Sequence, residues 1–195
     1  MRGGSSRLGV VLLAVVAALV VQVTVLPHFA WRVGGLGVVP DLVLLVVVAT
    51  ALATDTRYAT LTGFFAGLLL DVAPPADHVA GRWALALMLV GYVVGRVVHD
   101  NSADLGRFEL QGVRRPPVSL TLAAAAGGSF IGTSAFALTG LLLDDPAVAV
   151  GDLLTVALVA VLLDAVAALL VVPATLWLYA RLAADRVPER IRIPA

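Results

Sequence analysis

The chain has 195 residues, of which 61% are hydrophobic and only 13% are charged, and its mean hydropathy is +1.02. A soluble domain carries about 25% charged residues, so this composition predicts an integral membrane protein. All thirteen basic residues are arginine and the formal net charge is zero, which argues against a nucleic-acid-binding protein. The absence of cysteine excludes disulfides and thiolate-ligated metals.

Six apolar stretches follow one another along the chain. The first begins after Arg2 and Arg7 and is about 19 residues long, which exceeds the roughly 7–15 residues of a signal-peptide core. No small-residue cleavage motif follows it, so we expect an uncleaved membrane span. The third stretch ends at Pro74-Pro75, because the residue before a proline avoids the helical conformation. The six predicted spans are 8–26, 36–53, 58–73, 80–98, 118–143 and 152–180.

The arginines are distributed unequally between the loops that connect these stretches. Eleven lie at the N-terminus, in the second and fourth loops with their flanks, and in the tail, whereas two lie in the first, third and fifth loops. Positively charged residues stay on the cytoplasmic side of a membrane. The sequence therefore predicts one all-α domain over residues 1–195, a bundle of six transmembrane helices with both termini in the cytoplasm.

Three of the predicted spans carry two glycines spaced four residues apart. This spacing lets helix backbones approach closely in lipid. We expect at least one of these faces to accept the single span of a partner protein, although packing within the bundle is the alternative for all three. The preferred face is that of Gly91 and Gly95, because Arg96 beside it would anchor the bundle. The pairs are Gly63/Gly67, Gly91/Gly95 and Gly128/Gly132.

Three charged residues fall at a similar depth near the outer ends of spans two to four. Pro40 and Asp41 lie one turn inside the start of the second span, where a helix tolerates proline. Asp71 ends the third span and Arg82 begins the fourth. A cluster of Asp41, Asp71 and Arg82 would lower the cost of each charge near lipid. The alternative is that each side chain reaches water separately.

Asp164 lies near the centre of the sixth predicted span, too far from either end to reach water. A carboxylate at this depth needs a partner. Arg96 lies at a comparable depth in span four, and Tyr92 one turn earlier is a second candidate donor. We expect a buried structural ion pair between Asp164 and Arg96; a proton relay or a solute site is the alternative.

No combination of residues in the sequence predicts catalysis. Ser129 does not stand in a G-x-S-x-G motif, and no histidine lies within a span to act as its base. His28, His78 and His99 are isolated in loops, so a metal site is not expected, and nucleotide-binding fingerprints are absent. We expect neither an enzyme nor a cofactor.

The order of these features resembles the rod shape-determining protein MreD family. The resemblance rests on Pro40-Asp41-Leu42, on Gly63-Phe64-Phe65-Ala66-Gly67-Leu68-Leu69-Leu70-Asp71 and on Leu89-Val90-Gly91-Tyr92-Val93-Val94-Gly95-Arg96. It covers the first hundred residues. The second half matches in span count, in a polar residue within span six and in a proline near that span's end. The chain departs from the family in its longer fourth loop, 99–117.

The resemblance implies a non-enzymatic protein of the bacterial plasma membrane that supports cell-wall elongation. Its implied partner is the bitopic protein MreC, and it would act near the glycosyltransferase RodA, a class B penicillin-binding protein and the actin-like MreB. The family is also similar in fold to the S components of energy-coupling-factor vitamin transporters. A solute-binding transport subunit is therefore the alternative function.

Overall fold

The computed structural model of the chain describes residues 3–33, 36–74, 79–100, 116–143 and 153–184. The architecture is all-α apart from one short hairpin, as predicted. The described residues form six α-helices: α1 (Gly3–Thr24), α2 (Leu42–Ala53), α3 (Thr56–Val72), α4 (Arg82–Asp100), α5 (Val118–Leu142) and α6 (Leu153–Ala184). Each helix coincides with one of the predicted apolar stretches to within six residues at either end.

The connection between α1 and α2 differs from the prediction. A 3₁₀ helix (Leu26–Phe29) is followed by the antiparallel strands β1 (Trp31–Val33) and β2 (Leu36–Val38). The second predicted span begins at residue 36, but residues 36–38 form β2 and α2 begins only at Leu42. Pro40 restricts the residue before it to an extended conformation, so the helix starts after the proline rather than around it.

The starts of α2 and α3 are each capped by an aspartate side chain. Asp41 is the N-cap of α2, with φ −88° and ψ 91°, and Asp55 is the N-cap of α3. The prediction that Pro40 and Asp41 lie inside the first turn of the second span is therefore wrong: both precede the helix. Residues Val43 to Ala51 of α2 are all buried, which makes α2 the central helix of the bundle.

The contacts of α2 show how the other helices run. Its start contacts Gln22 near the end of α1 and Asp164 of α6. At its end, the Thr54 carbonyl accepts a hydrogen bond from the ring of His99 near the end of α4. Two ends of the bundle follow from these contacts, and we name them the Asp41 end and the His99 end. Helices α2, α4 and α6 run from the Asp41 end to the His99 end, and α1, α3 and α5 run back.

Within the described part of the chain, three helices are long and apolar enough to cross a membrane. These are α4 over Arg82–His99, α5 over Val118–Leu142 and α6 over Leu154–Arg181. Two shorter apolar segments, Leu8–Thr24 and Leu42–Ala53, accompany them. The twelve residues of α2 span only about 18 Å, less than the roughly 30 Å of a bilayer core.

Candidate functional site: two helix-capping centres

The start of α2 is capped by its own residue and by a residue from the far end of the sequence. Asp41 Oδ1 accepts a hydrogen bond of 2.9 Å from the Leu44 amide, the usual bond of an N-cap aspartate. The Asp41 amide itself donates a bond of 2.6 Å to Asp164 Oδ1, across 123 residues of sequence. Asp164 is only 2% exposed. The carboxylate near the middle of the apolar stretch of α6 thus binds the amino end of α2.

Two uncharged side chains complete this arrangement. The Val43 amide donates to Gln22 Oε1 of α1 over 3.0 Å, and Ser129 of α5 donates its hydroxyl to Asp164 Oδ2 over 2.5 Å. Ser129 is fully buried. We call Gln22, Asp41, Ser129 and Asp164 the α2 cap. The α2 cap joins α1, α2, α5 and α6. Its side chains accept hydrogen bonds from backbone amides at the start of α2, which would otherwise lack an acceptor in a lipid environment.

The start of α4 is capped in a similar way by a residue of α3. Asp71 Oδ2 accepts from the amides of Gly81 at 2.9 Å and Ala84 at 3.1 Å, and Asp71 Oδ1 accepts from Trp83 at 3.1 Å. Asp71 is 4% exposed. Three of the amides at the start of α4 therefore share one carboxylate, and the positive end of the helix dipole favours that charge.

Arg82 places a fixed positive charge in this second centre. It is 3% exposed, and its Nη2 donates to the Phe136 carbonyl of α5 over 2.8 Å. Its guanidinium carbon lies 3.9 Å from the centroid of the Phe136 ring, a cation–π contact. The Trp83 ring packs on Phe136 with centroids 4.5 Å apart. We call Asp71, Arg82 and Phe136 the α4 cap, which joins α3, α4 and α5.

The predicted pairing of Asp164 with Arg96 is wrong. Asp164 bonds to the start of α2, whereas Arg96 lies one turn before His99, whose ring contacts the end of α2. Most of the length of α2, which is about 18 Å, therefore separates the two residues along the bundle axis. Arg96 and Tyr92 are both exposed, whereas Asp164 is buried.

The three charged residues predicted to cluster are divided between the two centres. Asp71 and Arg82 both belong to the α4 cap, because the amides on either side of Arg82 bind the Asp71 carboxylate. Asp41 belongs to the α2 cap, where Asp164 receives its amide hydrogen. The charges thus serve two different helix starts at the Asp41 end.

The glycines predicted as a partner-binding face lie between α3 and α4. A Cβ added at Gly63 would overlap the Leu87 carbonyl, and one added at Gly91 would overlap the Ala59 carbonyl. The same holds for Gly67 against the Trp83 carbonyl, and a Cβ at Gly95 would lie 3.0 Å from the Thr56 Cα. The expectation that Gly91 and Gly95 accept a foreign helix is therefore wrong, because α3 already occupies that face.

The third pair of glycines also packs within the bundle. A Cβ at Gly128 would lie 3.0 Å from Val48 of α2, and one at Gly132 would lie 2.9 Å from Leu44. Both glycines of α5 therefore leave room for side chains of α2. The alternative prediction, that the glycine pairs serve packing within the bundle, holds for all three pairs.

Two residues of the α2 cap were not predicted as site residues from the sequence. Gln22 is a polar residue near the end of an apolar stretch, and Ser129 was considered only as a nucleophile. A polar side chain in an apolar span needs an internal partner, which is the signal that could have identified both. Thr50 and Tyr179 are a further such pair, with their hydroxyls 2.8 Å apart between α2 and α6.

The described residues contain no group of three or more histidine, aspartate or glutamate side chains arranged to hold a metal ion. Residues 101–115 of the long fourth loop and the acidic turn 144–146 lie outside the described residues.

Comparison with protein-family models gives a match to the family described as rod shape-determining protein MreD, over residues 6–100. Over these residues, the chain is similar to the MreD family. The match ends with α4, so it contains the whole of α1 to α4 except the first residues of α1. No curated protein and no solved structure matches the chain.

The MreD match contains most of the chemistry of the two capping centres. Gln22, Asp41, Asp71 and Arg82 lie within it, whereas Ser129, Phe136 and Asp164 come from the second half of the chain. Each cap therefore joins the matched half to the rest of the bundle. The description of the matching family points to a role in rod-shape determination.

Proposed function

We propose that this protein is a non-enzymatic component of the bacterial cell-wall elongation complex. It supports rod shape and peptidoglycan synthesis by binding an MreC-like bitopic protein in the plasma membrane. Its action lies near a RodA-type glycosyltransferase, a class B penicillin-binding protein and, where present, MreB. The observation that carries the proposal is the MreD-family match over residues 6–100.

The arrangement of the buried polar groups supports a structural role. Asp71 accepts three backbone amides, and Asp164 accepts one amide and one hydroxyl. These carboxylates stabilise helix starts that contribute to one rigid bundle. A transporter instead needs polar groups that are available to a solute near the middle of the membrane.

The membrane topology is part of the same proposal. All six described helices belong to a bundle that lies within the membrane, with α2 shielded by its neighbours, and both termini face the cytoplasm. The excess of arginine in the second and fourth loops and the tail supports this orientation.

The topology is tested by cysteine labelling, which has no background because the chain contains no cysteine. A Gln111→Cys variant in intact cells should resist a membrane-impermeant maleimide and react after the membrane is opened. A His28→Cys variant is the matched control and should react from outside. Labelling of position 111 in intact cells would overturn the orientation.

The function is tested by purification from the native host under mild detergent, followed by mass spectrometry. We expect an MreC-like protein to be recovered with the chain. We also expect that depletion of the chain changes the host cells from rods to spheres. Recovery of an energising ATPase module and a bound vitamin, without an MreC-like protein, would instead support the transport subunit.

A further inference from the structure

The two carboxyl groups of the α2 cap offer four oxygen atoms, and three of them accept a hydrogen bond. Asp164 Oδ1 accepts from the Asp41 amide and Asp164 Oδ2 from the Ser129 hydroxyl, while Asp41 Oδ1 accepts from the Leu44 amide. The fourth, Asp41 Oδ2, is buried and has no hydrogen-bond partner. A buried carboxylate oxygen without a donor is costly, because its water of hydration has not been replaced.

The groups around the pair leave its charge uncompensated. Helix α1 presents the uncharged amide of Gln22, whose side chain lies beside the Asp41 carboxyl group, and α5 presents the uncharged hydroxyl of Ser129. Helices α3 and α4 also pack against α2, but at this end their charged groups Asp71 and Arg82 form the α4 cap. Among the side chains that the structure describes, no arginine or histidine forms an ion pair with either carboxyl group.

The amino end of α2 supplies only part of the missing positive charge. A helix N-terminus is equivalent to roughly half an elementary charge. This charge suits one carboxylate, whereas two ionised carboxylates at one helix start repel each other, most strongly where water is excluded. The carboxyl pair therefore still needs one positive charge. That charge has to lie at an oxygen that does not already accept a hydrogen bond.

We propose that the Asp41–Asp164 pair is a buried proton-binding site, in which one proton resides on Asp41 Oδ2 and Asp164 remains ionised. Asp41 then keeps its capping bond through Oδ1, and its Oδ2 becomes a donor. The Gln22 carbonyl has a second lone pair that can accept this bond. The pair carries one negative charge instead of two, and the proton ties the anchoring of α2 to the state of a titratable group.

The site is tested by infrared spectroscopy of the full chain in lipid nanodiscs at neutral pH. An aspartic acid has a carboxyl C=O band that shifts on exchange into D₂O, and ionised aspartates lack it. We expect the wild-type protein to show this band and Asp41→Asn to lose it. Asparagine caps helices as well as aspartate does, so this substitution removes the titratable group and keeps the cap.

Asp55→Asn is the matched control, because Asp55 caps α3 through the Tyr58 amide in the same way but is exposed. This variant should retain the band. Absence of the band from the wild-type protein, or its survival in Asp41→Asn, would overturn the proposal. Replacement of the band by a sodium- or potassium-dependent shift of the carboxylate bands would show that a metal cation occupies the site instead.

A second measurement on the wild-type chain does not depend on whether the variant folds. If the folded state holds a proton that the unfolded state releases, the folded state binds more protons, and stability falls as the pH rises. We therefore expect the unfolding midpoint of the wild-type protein to fall as the pH rises from about 5 until the folded site loses its proton, and to level off above that pH. An unchanged or rising midpoint would contradict the proposal.

Discussion

The α2 cap and the α4 cap lie at the same end of the bundle and solve the same problem by different means. In each, a carboxylate from a different helix binds backbone amides at a helix start. In the α4 cap, Arg82 is fixed nearby by the carbonyl and ring of Phe136. In the α2 cap, the neighbours are the neutral side chains Gln22 and Ser129.

This difference shows how each centre depends on its aspartate. Asp71 accepts three backbone amides, whose direction cannot reverse. Asp164 accepts one backbone amide and one hydroxyl, and a hydroxyl can rotate and become an acceptor. The α4 cap should therefore tolerate no change of its carboxylate, whereas the α2 cap should tolerate a change that preserves one acceptor.

The largest effect is expected from removal of the carboxylate of the α4 cap. Asp71→Ala leaves three amides at the start of α4 without this acceptor, each costing about 1–3 kcal/mol, so we expect the free energy of unfolding in bicelles to fall by at least about 3 kcal/mol. Asp55→Ala removes an exposed cap and should cost only about 1 kcal/mol. Equal losses for the two variants would show that burial of the Asp71 cap has no energetic importance.

The contact between α3 and α4 positions Asp71, so its disruption should damage the α4 cap selectively. Gly63→Ala places a Cβ against the Leu87 carbonyl, and we expect a loss of about 3 kcal/mol, since backbone atoms cannot move aside as side chains do. Gly127→Ala, with no atom within 4 Å of the new Cβ, should change stability by no more than about 1 kcal/mol. A tolerated Gly63→Ala would show that the helices are farther apart than described.

The two caps should respond differently to asparagine. At position 164, the amide oxygen can accept from Asp41 while the amide nitrogen donates to a rotated Ser129 hydroxyl, so we expect a loss of about 1 kcal/mol. At position 71, the amide nitrogen would face a backbone N–H, and we expect a loss about 2 kcal/mol greater. The comparison uses equilibrium unfolding of both variants in the same bicelles, and a reversed order would contradict the assignment of donors.

A similarly small effect is expected for the uncharged donor of the α2 cap. Ser129→Ala removes one hydrogen bond to Asp164 but leaves the bond from the Asp41 amide, so stability should fall by about 1–2 kcal/mol. Ser134→Ala, on the same helix and only half-buried, is the matched control and should have little effect. If Ser129→Ala lowered the free energy of unfolding more than Asp71→Ala does, the bond from Ser129 would be the dominant contact of Asp164.

The helices could be predicted from the sequence because they coincide with long apolar stretches. The residues that end such stretches, proline above all, act on the neighbouring backbone. The start of α2 was misplaced because an apolar run does not distinguish β2 from the first turns of a helix. The partner of Asp164 could not be predicted, since depth in a span does not fix the rotation of a helix. Comparable depth alone placed Arg96 near Asp164 in the prediction, whereas the capping requirement of α2 decides the contact.

The central claim is that Asp164 contacts α5 and the start of α2 rather than Arg96, and disulfide crosslinking tests it directly in a chain without native cysteine. Ser129→Cys combined with Asp164→Cys should form an intramolecular disulfide in membranes on mild oxidation, measured by mass spectrometry of digested protein. Arg96→Cys combined with Asp164→Cys should not. Crosslinking of the second pair without the first would contradict the account.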